Sequence, residues 1–211
     1  MSSLKFLSMG ASVPDHIVTN DDLSRLVETD DEWIYSRTGI HARHIAPAGL
    51  SNADQVQEAA VQALKRARLT PADIDLLVVA TVTPDYFTPS VSACVHERLG
   101  MRPGTLAFDV NGACCGFVYA LRVVQGQLAL LPAGAKALVV GSEIMSHIVD
   151  FTDRSTCVLF GDGAGAAVVT ATDEESWFTG GICGNHEAIL SNCYYEGTTP
   201  GLSMNGRAVF R

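Results

Sequence analysis

The stretch LAFDVNGACCGFVY, Leu106 to Tyr119, reads as strand, tight turn, cysteine, buried helix. Leu106 to Val110 has the composition of a strand. Small residues follow, then Cys114. From Gly116 to Leu131 the residues Phe117, Ala120, Leu121, Val124, Leu128 and Leu131 recur at helical spacing. A thiol at a helix start feels the positive end of the macrodipole and unpaired backbone N–H groups. Both favour the thiolate, which is the nucleophilic form. Ala113 and Gly116 keep bulk away from the sulfur, so a carbonyl can approach it. The competing account is that Cys114 and Cys115 are small buried hydrophobes, as free cysteines commonly are. Spacing alone leaves both open.

Working outward, strand-like runs alternate with helical patterns. Leu4 to Met9 is a short strand ending at Gly10. Asn20 is an expected N-cap, with Asp21 and Asp22 in the first turn and Leu23, Leu26 and Val27 on one face. Thr29 or Asp30 caps a second short helix carrying Trp33, Ile34 and Arg37 and closed by Gly39. Asn52 to Arg68 is an amphipathic helix with Val56, Ala60, Ala63, Leu64 and Ala67 on one side. Thr70-Pro71 opens a brief helical turn. Ile74 to Val82 is a continuous apolar strand, which predicts burial on both faces. Pro89 to Leu99 is a helix, and Ala137 to Val140 and Ala164 to Ala171 are buried strands. The alternation predicts an α/β layered fold around a largely parallel sheet.

Composition narrows the function. With 211 residues, 47% hydrophobic and 18% charged, the chain can bury a large core and is not disordered. The formal net charge of −9 argues against nucleic acid and anionic membranes as main partners. An acidic ligand would need a local basic patch. The N-terminal MSSLKFLSMG has one lysine, no long apolar core and no clear cleavage site, so no signal peptide is expected. No apolar run approaches the ~18 residues of a membrane span. Six cysteines, at positions 94, 114, 115, 157, 183 and 193, are irregularly spaced and read as reduced thiols of a cytoplasmic protein. His41 and His44 lie in a charged, loop-like stretch with no third ligand nearby, so they are read as solvated histidines and not as a zinc site.

Gly161-Asp162-Gly163-Ala164-Gly165 invites a phosphate-loop reading. Its spacing is not G-x-G-x-x-G, and AAVVTAT after it is strand-like, so no helix N-terminus is offered to a phosphate. Glycines that allow close backbone approach are the better account. From Asp173 on the pattern weakens. Residues 180–206 have the composition of a long surface loop, and Ala208-Val209-Phe210 looks like a helix beginning.

Many motifs in one order carry a resemblance over nearly all of the chain. They are Thr29-Asp30-Asp31-Glu32-Trp33-Ile34, Arg37-Thr38-Gly39-Ile40, Asp109-Val110, Ala113-Cys114, Gly116-Phe117, Tyr119-Ala120-Leu121, Val139-Val140-Gly141-Ser142-Glu143, Thr152-Asp153-Arg154 and Phe160 to Ala167. The chain resembles β-ketoacyl-acyl-carrier-protein synthase III of the thiolase superfamily. The resemblance implies a thiolase-like α/β fold, layered α/β/α/β/α in the complete protein, with residues 1–172 as the first of two similar halves. Residues 173–211 would be a connecting loop and the start of the second half. It implies a condensation that begins fatty-acid synthesis. Cys114 accepts an acyl group from acyl-CoA, and malonyl-acyl-carrier protein then decarboxylates and attacks the acyl-enzyme. Thr29, Trp33, Arg37 and Arg154 match residues that hold coenzyme A, and Thr88, Met145, Phe160 and Met204 match the acyl pocket. No cofactor or metal is implied beyond acyl-CoA as substrate. The implied partners are malonyl-acyl-carrier protein and a second copy in a cytoplasmic homodimer.

The departures are informative. Cys115 falls where the family commonly has alanine, and Ser155 where glycine is usual. The family's catalytic histidine and asparagine belong to its second half. None of the six histidines, at 16, 41, 44, 96, 147 and 186, sits in a Pro-His-Gln-Ala-Asn or His-Gly-Asn-Thr setting. The expectation is therefore a first half, whose layered core leaves one sheet face bare. A related quinolone- or polyketide-type synthase, and a non-catalytic partner subunit or fragment, are the alternative readings.

Overall fold

A computed structural model describes residues 3–174 together with the backbone of 191–196 and 199–204. The strands are β1 Ser3–Ser12, β2 Ile17–Thr19, β3 Ala42–His44, β4 Leu76–Ala80, β5 Leu106–Val110, β6 Lys136–Ile144, β7 Asp162–Thr172, β8 Ser191–Glu196 and β9 Thr199–Met204. The helices are α1 Asn20–Leu23, α2 Asp31–Thr38, α3 Asn52–Ala67, α4 Val91–Arg98, α5 Gly116–Leu128 and α6 Arg154–Cys157. Contacts divide the described chain into two compact units. The first comprises residues 3–13, 49–143 and 163–174, and the second 14–48, 144–162 and the β8–β9 hairpin.

The first unit is built on a five-stranded sheet in the order β1-β7-β6-β4-β5. Strand β4 runs parallel to β5 and β6, with Leu76 opposite both Leu106 and Ala137. Strand β1 runs antiparallel to β7, so the sheet is mixed where the alternation predicted a largely parallel one. Every residue of β4 is buried. Leu77 and Val79 pack with Val56, Ala60 and Val95 of α3 and α4. Leu76, Val78 and Ala80 face the other way, against Leu121 and Val124 of α5. This two-sided burial is what the unbroken apolar run predicted. It also corrects the expectation of a bare sheet face: each face carries helices, and it is the outer side of α5 that exposes apolar residues, Val118 and Val123. Strand β5 lies at the sheet edge, and Leu106 is 48% exposed.

Helix α3 starts at a capping box in which Ser51 and Asp54 exchange backbone and side-chain bonds. It ends at Arg68, in left-handed conformation at φ 58°. Helix α4 begins two residues after Pro89, because Ser90 caps it by accepting the Ala93 N–H.

In the second unit, β2 and β3 form an antiparallel ribbon, and α1, α2 and α6 gather around Leu23, Ile34, Cys157 and Val158. Asp30 caps α2 and Gly39 closes it at φ 73°, as predicted. The cap of α1 is Thr19, boxed with Asp22, and not Asn20. Asn20 is buried inside, where its amide donates to Asp31 and to the Ile40 carbonyl. The His41–His44 stretch is not a solvated loop. Residues 42–44 are strand, and the His44 ring bonds the Pro14 carbonyl. Among the described residues no helix is long and apolar enough to cross a membrane.

Candidate active site

In the first unit the chain leaves β5 at Val110, turns at Gly112, and forms a single 3₁₀ turn, Ala113–Cys115, before α5. Ala113 has φ +46°, left-handed backbone that a residue with a Cβ adopts only when its surroundings force it. What forces it is the tight return onto the helix. A Cβ on Gly112 would lie 2.5 Å from the Tyr119 ring and 3.0 Å from the Gly116 backbone, so glycine alone fits there. The Gly112 carbonyl accepts the Cys115 N–H at 3.1 Å and closes the turn. Cys114 stands at the apex and is exposed. Cys94 and Cys115 are half-buried and Cys157 is buried. The packing alternative for Cys114 thus loses its basis, since its side chain is not in the core.

Asp109, five residues before Cys114, ties β5 to α4. Its two carboxylate oxygens accept the Val91 and Ser92 N–H groups at 2.8 and 2.9 Å. They satisfy two of the donors that a helix start leaves unpaired. Asp109→Ala is expected to lower stability by about 1–3 kcal/mol by orphaning both donors, measured as a fall in urea midpoint at constant m value.

A second polar knot was not legible in the sequence. Asn52, Gln55, Thr81, Thr83 and Ser142 are buried together beneath Glu143, whose carboxylate accepts the Val82 N–H at 2.9 Å and the hydroxyls of Thr81 and Thr83. Burial pushes the Glu143 carboxyl above its ordinary range, against the pull of those donors. It holds the start of the segment that leads, through Asp85 on the α3 N-terminus, to Thr88. Thr88 itself is exposed, and Phe87 beside it is 87% exposed.

The second unit holds a cavity of about 480 Å³ lined by Trp33, Arg37, Thr38, Arg154, Ser155, Val158 and Leu159. The Arg37 guanidinium lies 4.5 Å and that of Arg154 4.7 Å from the Trp33 ring centre. A guanidinium near an aromatic face is attracted by its quadrupole, and both cations keep N–H groups for an anion. Arg37 bonds the Trp33 carbonyl and Arg154 the Glu28 carbonyl, which anchors both heads. The Thr29 hydroxyl is buried and has no partner among the described residues. Asp153 caps α6 by accepting the Ser155 N–H and hydroxyl, which is where a serine in place of glycine finds its bonds. With two arginines the cleft is a local basic patch of the kind an acidic ligand would need.

Of the remaining expected pocket residues, Met145 is buried and opens a 3₁₀ turn whose Ser146 bonds Asp162 through N–H and hydroxyl. Phe160 is half-buried. The Met204 side chain lies outside the described residues. The structure therefore brings together Trp33, Arg37 and Arg154. Cys114 and Thr88 belong to the first unit, and Met145 and Phe160 to the second. The glycines of 161–165 enter strand β7, not a helix, as the sequence indicated.

A mixed sheet with helices on both faces and a cysteine turn between strand and helix is a thiolase-type architecture. The sequence profile of 3-oxoacyl-[acyl-carrier-protein (ACP)] synthase III matches residues 108–183. The chain is 49% identical over 173 residues to a β-ketoacyl-[acyl-carrier-protein] synthase III of Sulfurovum sp., covering 81% of this chain and 50% of that protein. It is 43% identical over 220 residues to the synthase III of Neisseria gonorrhoeae, covering 100% of this chain and 68% of that one. The crystal structure of the Thermus thermophilus synthase III superimposes with a TM-score of 0.85 at 36% identity, over 97% of this chain and 66% of that one. The chain belongs to the β-ketoacyl-[acyl-carrier-protein] synthase III family. It spans about half the length of several curated relatives it matches.

Proposed function

We propose that the chain carries the acyl-accepting and nucleotide-binding part of an enzyme that begins fatty-acid synthesis. The observation that carries this reading is the exposed Cys114 at the apex of its turn, after a strained Ala113. Cys114 attacks the thioester of an acyl-CoA and coenzyme A leaves. Malonyl-acyl-carrier protein follows, loses carbon dioxide, and its carbanion displaces the cysteine from the acyl carbonyl. A backbone N–H at the Cys114 turn stabilises the tetrahedral oxyanion. Residues 1–172 form the first of two similar halves, and the enzyme works as a cytoplasmic homodimer without a cofactor.

Trp33 and Arg37 sandwich the adenine of coenzyme A and Arg154 approaches its adenine or phosphate end, with Thr29 beside them. These contacts lie at the nucleotide and not at the reacting carbonyl, so they contribute equally to ground and transition states. Trp33→Ala should raise the Michaelis constant for acyl-CoA roughly 5- to 150-fold, from a stacking energy of about 1–3 kcal/mol, with a much smaller effect on kcat. Arg37→Ala should act in the same direction. An unchanged Michaelis constant in both variants would place the nucleotide elsewhere.

Primer size is set in part at Thr88. A small residue there, where phenylalanine would narrow an acyl pocket, leaves room for methylenes worth ~0.8 kcal/mol each when buried. The enzyme is expected to use primers longer than acetyl, and Thr88→Phe to shift kcat/KM toward short ones by about fourfold per methylene. Phe87 is the competitor for that space. If it fills the pocket, wild type works on acetyl-CoA alone and the substitution changes nothing.

A further inference from the structure

Arg43 is 5% exposed, and among the described residues no carboxylate lies within ion-pair distance of it. Its Nη2 donates to the Asn20 side-chain oxygen at 2.8 Å and to the Val158 carbonyl at 3.0 Å, and its Nη1 to the Val18 carbonyl at 3.2 Å. Its Nε is buried with no partner among the described residues. A guanidinium stays protonated, so β3 carries a buried charge compensated only by dipoles. Burying such a charge is costly, and a well-packed apolar side chain would commonly be as stable or more so. Local stability therefore does not explain the residue.

Its partners do. Val158 is the C-cap of α6, the helix that begins with Arg154, and Val158 also lines the Trp33 cleft. Asn20 passes the contact on, because its amide donates to Asp31 at 2.7 Å and Asp31 is the first residue of α2, which carries Trp33 and Arg37. His41 and then Asn20 hold the Asp31 carboxyl below its ordinary range, so this link ends on a charged acceptor. One side chain thus spans the two helices that present the cleft. Its stem is fitted just as closely: a Cβ on Gly161 would lie 3.0 Å from the Arg43 Cβ and 3.1 Å from the His44 carbonyl. That close approach gives the first glycine of Gly161-Asp162-Gly163 a reason that does not involve phosphate.

We infer that Arg43 is a positioning residue for the cleft, holding Trp33 of α2 against Arg154 of α6 and adding a positive charge behind the Val158 wall. The ligand it serves is an anionic, adenine-bearing one, and the inference rests on the reading of the cleft as the coenzyme A nucleotide site.

Calorimetric titration of coenzyme A into the intact enzyme, at several salt concentrations, tests it. Arg43→Met should weaken binding about tenfold and flatten the dependence of log Kd on log salt, because both the brace and a charge are lost. Arg43→Lys should lose affinity but keep the wild-type salt slope. Gly161→Ala, which leaves the charge in place and pushes on the stem, should do the same. A folded Arg43→Met with wild-type Kd and slope overturns the inference. Where Arg43→Met does not fold, unchanged affinity in Gly161→Ala and Arg43→Lys overturns it equally. Wild type that fails to bind coenzyme A, or binds it as well after Trp33→Ala, sinks the nucleotide reading itself and this inference with it.

Discussion

Cys114→Ala should abolish acylation of the enzyme by acyl-CoA, and Cys115→Ala should leave it largely intact. Removing a covalent nucleophile leaves no alternative route through an acyl-enzyme, and losses on the order of 10⁶ in rate are the precedent. The two thiols are neighbours in sequence but not in setting. Cys114 is exposed at the turn, whereas Cys115 is half-buried and is the residue from which α5 starts. A radiolabelled acyl-CoA, with the label placed by peptide mass, separates them. Alkylation by iodoacetamide should follow the same order, with Cys114 first among the cysteines of the described residues and Cys157 last. Burial, with Asp153 next in weight, pushes the Cys157 thiol above its ordinary range. Label that persists in Cys114→Ala and disappears in Cys115→Ala would reverse the assignment.

What the sequence disclosed and what it hid divide along physical lines. Local signals were legible because they are local. The apolar run of β4 announces burial on both faces. Asp30 and Gly39 bracket α2, and the strand composition after Gly163 excludes a phosphate-binding helix. Strand pairing was not legible, because periodicity says nothing of partners. The antiparallel β1–β7 edge and the edge position of β5 depend on contacts far apart in sequence. Asn20 shows how a good local rule fails: asparagine is favoured at N-caps, but Thr19 with Asp22 forms a two-way box, which frees the Asn20 amide for the interior. Arg43 escaped notice, and Glu143 drew it only as part of a family motif, for the opposite reason. Charged residues are rarely buried, so composition assigns them to the surface. Only the fold reveals that one braces a cleft and the other a loop. The cleft itself rests on Trp33 and Arg37 of α2 and on Arg154, more than a hundred residues further along the chain. Family resemblance gathered them, and the structure sets both guanidinium groups within 5 Å of one tryptophan ring centre.

A polypeptide made of residues 1–211 and nothing more is expected to bind acyl-CoA and yet fail to condense it with malonyl-acyl-carrier protein. The two steps make different demands. Acyl transfer to Cys114 needs a nucleophile, a nucleotide cleft and an oxyanion donor, and the described residues offer candidates for each. Decarboxylation of malonate leaves an enolate, whose negative oxygen needs preorganised donors. Each such donor is worth on the order of 10²–10³ in rate. In the family the donors are a histidine and an asparagine, in settings that none of this chain's six histidines shares. Without the pair the condensation rate should fall by roughly 10⁴–10⁶, taking the single-donor figure twice. The comparison is carbon dioxide release and product formation by a preparation whose measured mass matches 211 residues, set against a full-length relative under the same conditions. Burst labelling of Cys114 without turnover is the expected pattern. Turnover near that of the full-length relative would show that donors within these residues, Asn111 beside the cysteine turn among them, stabilise the enolate.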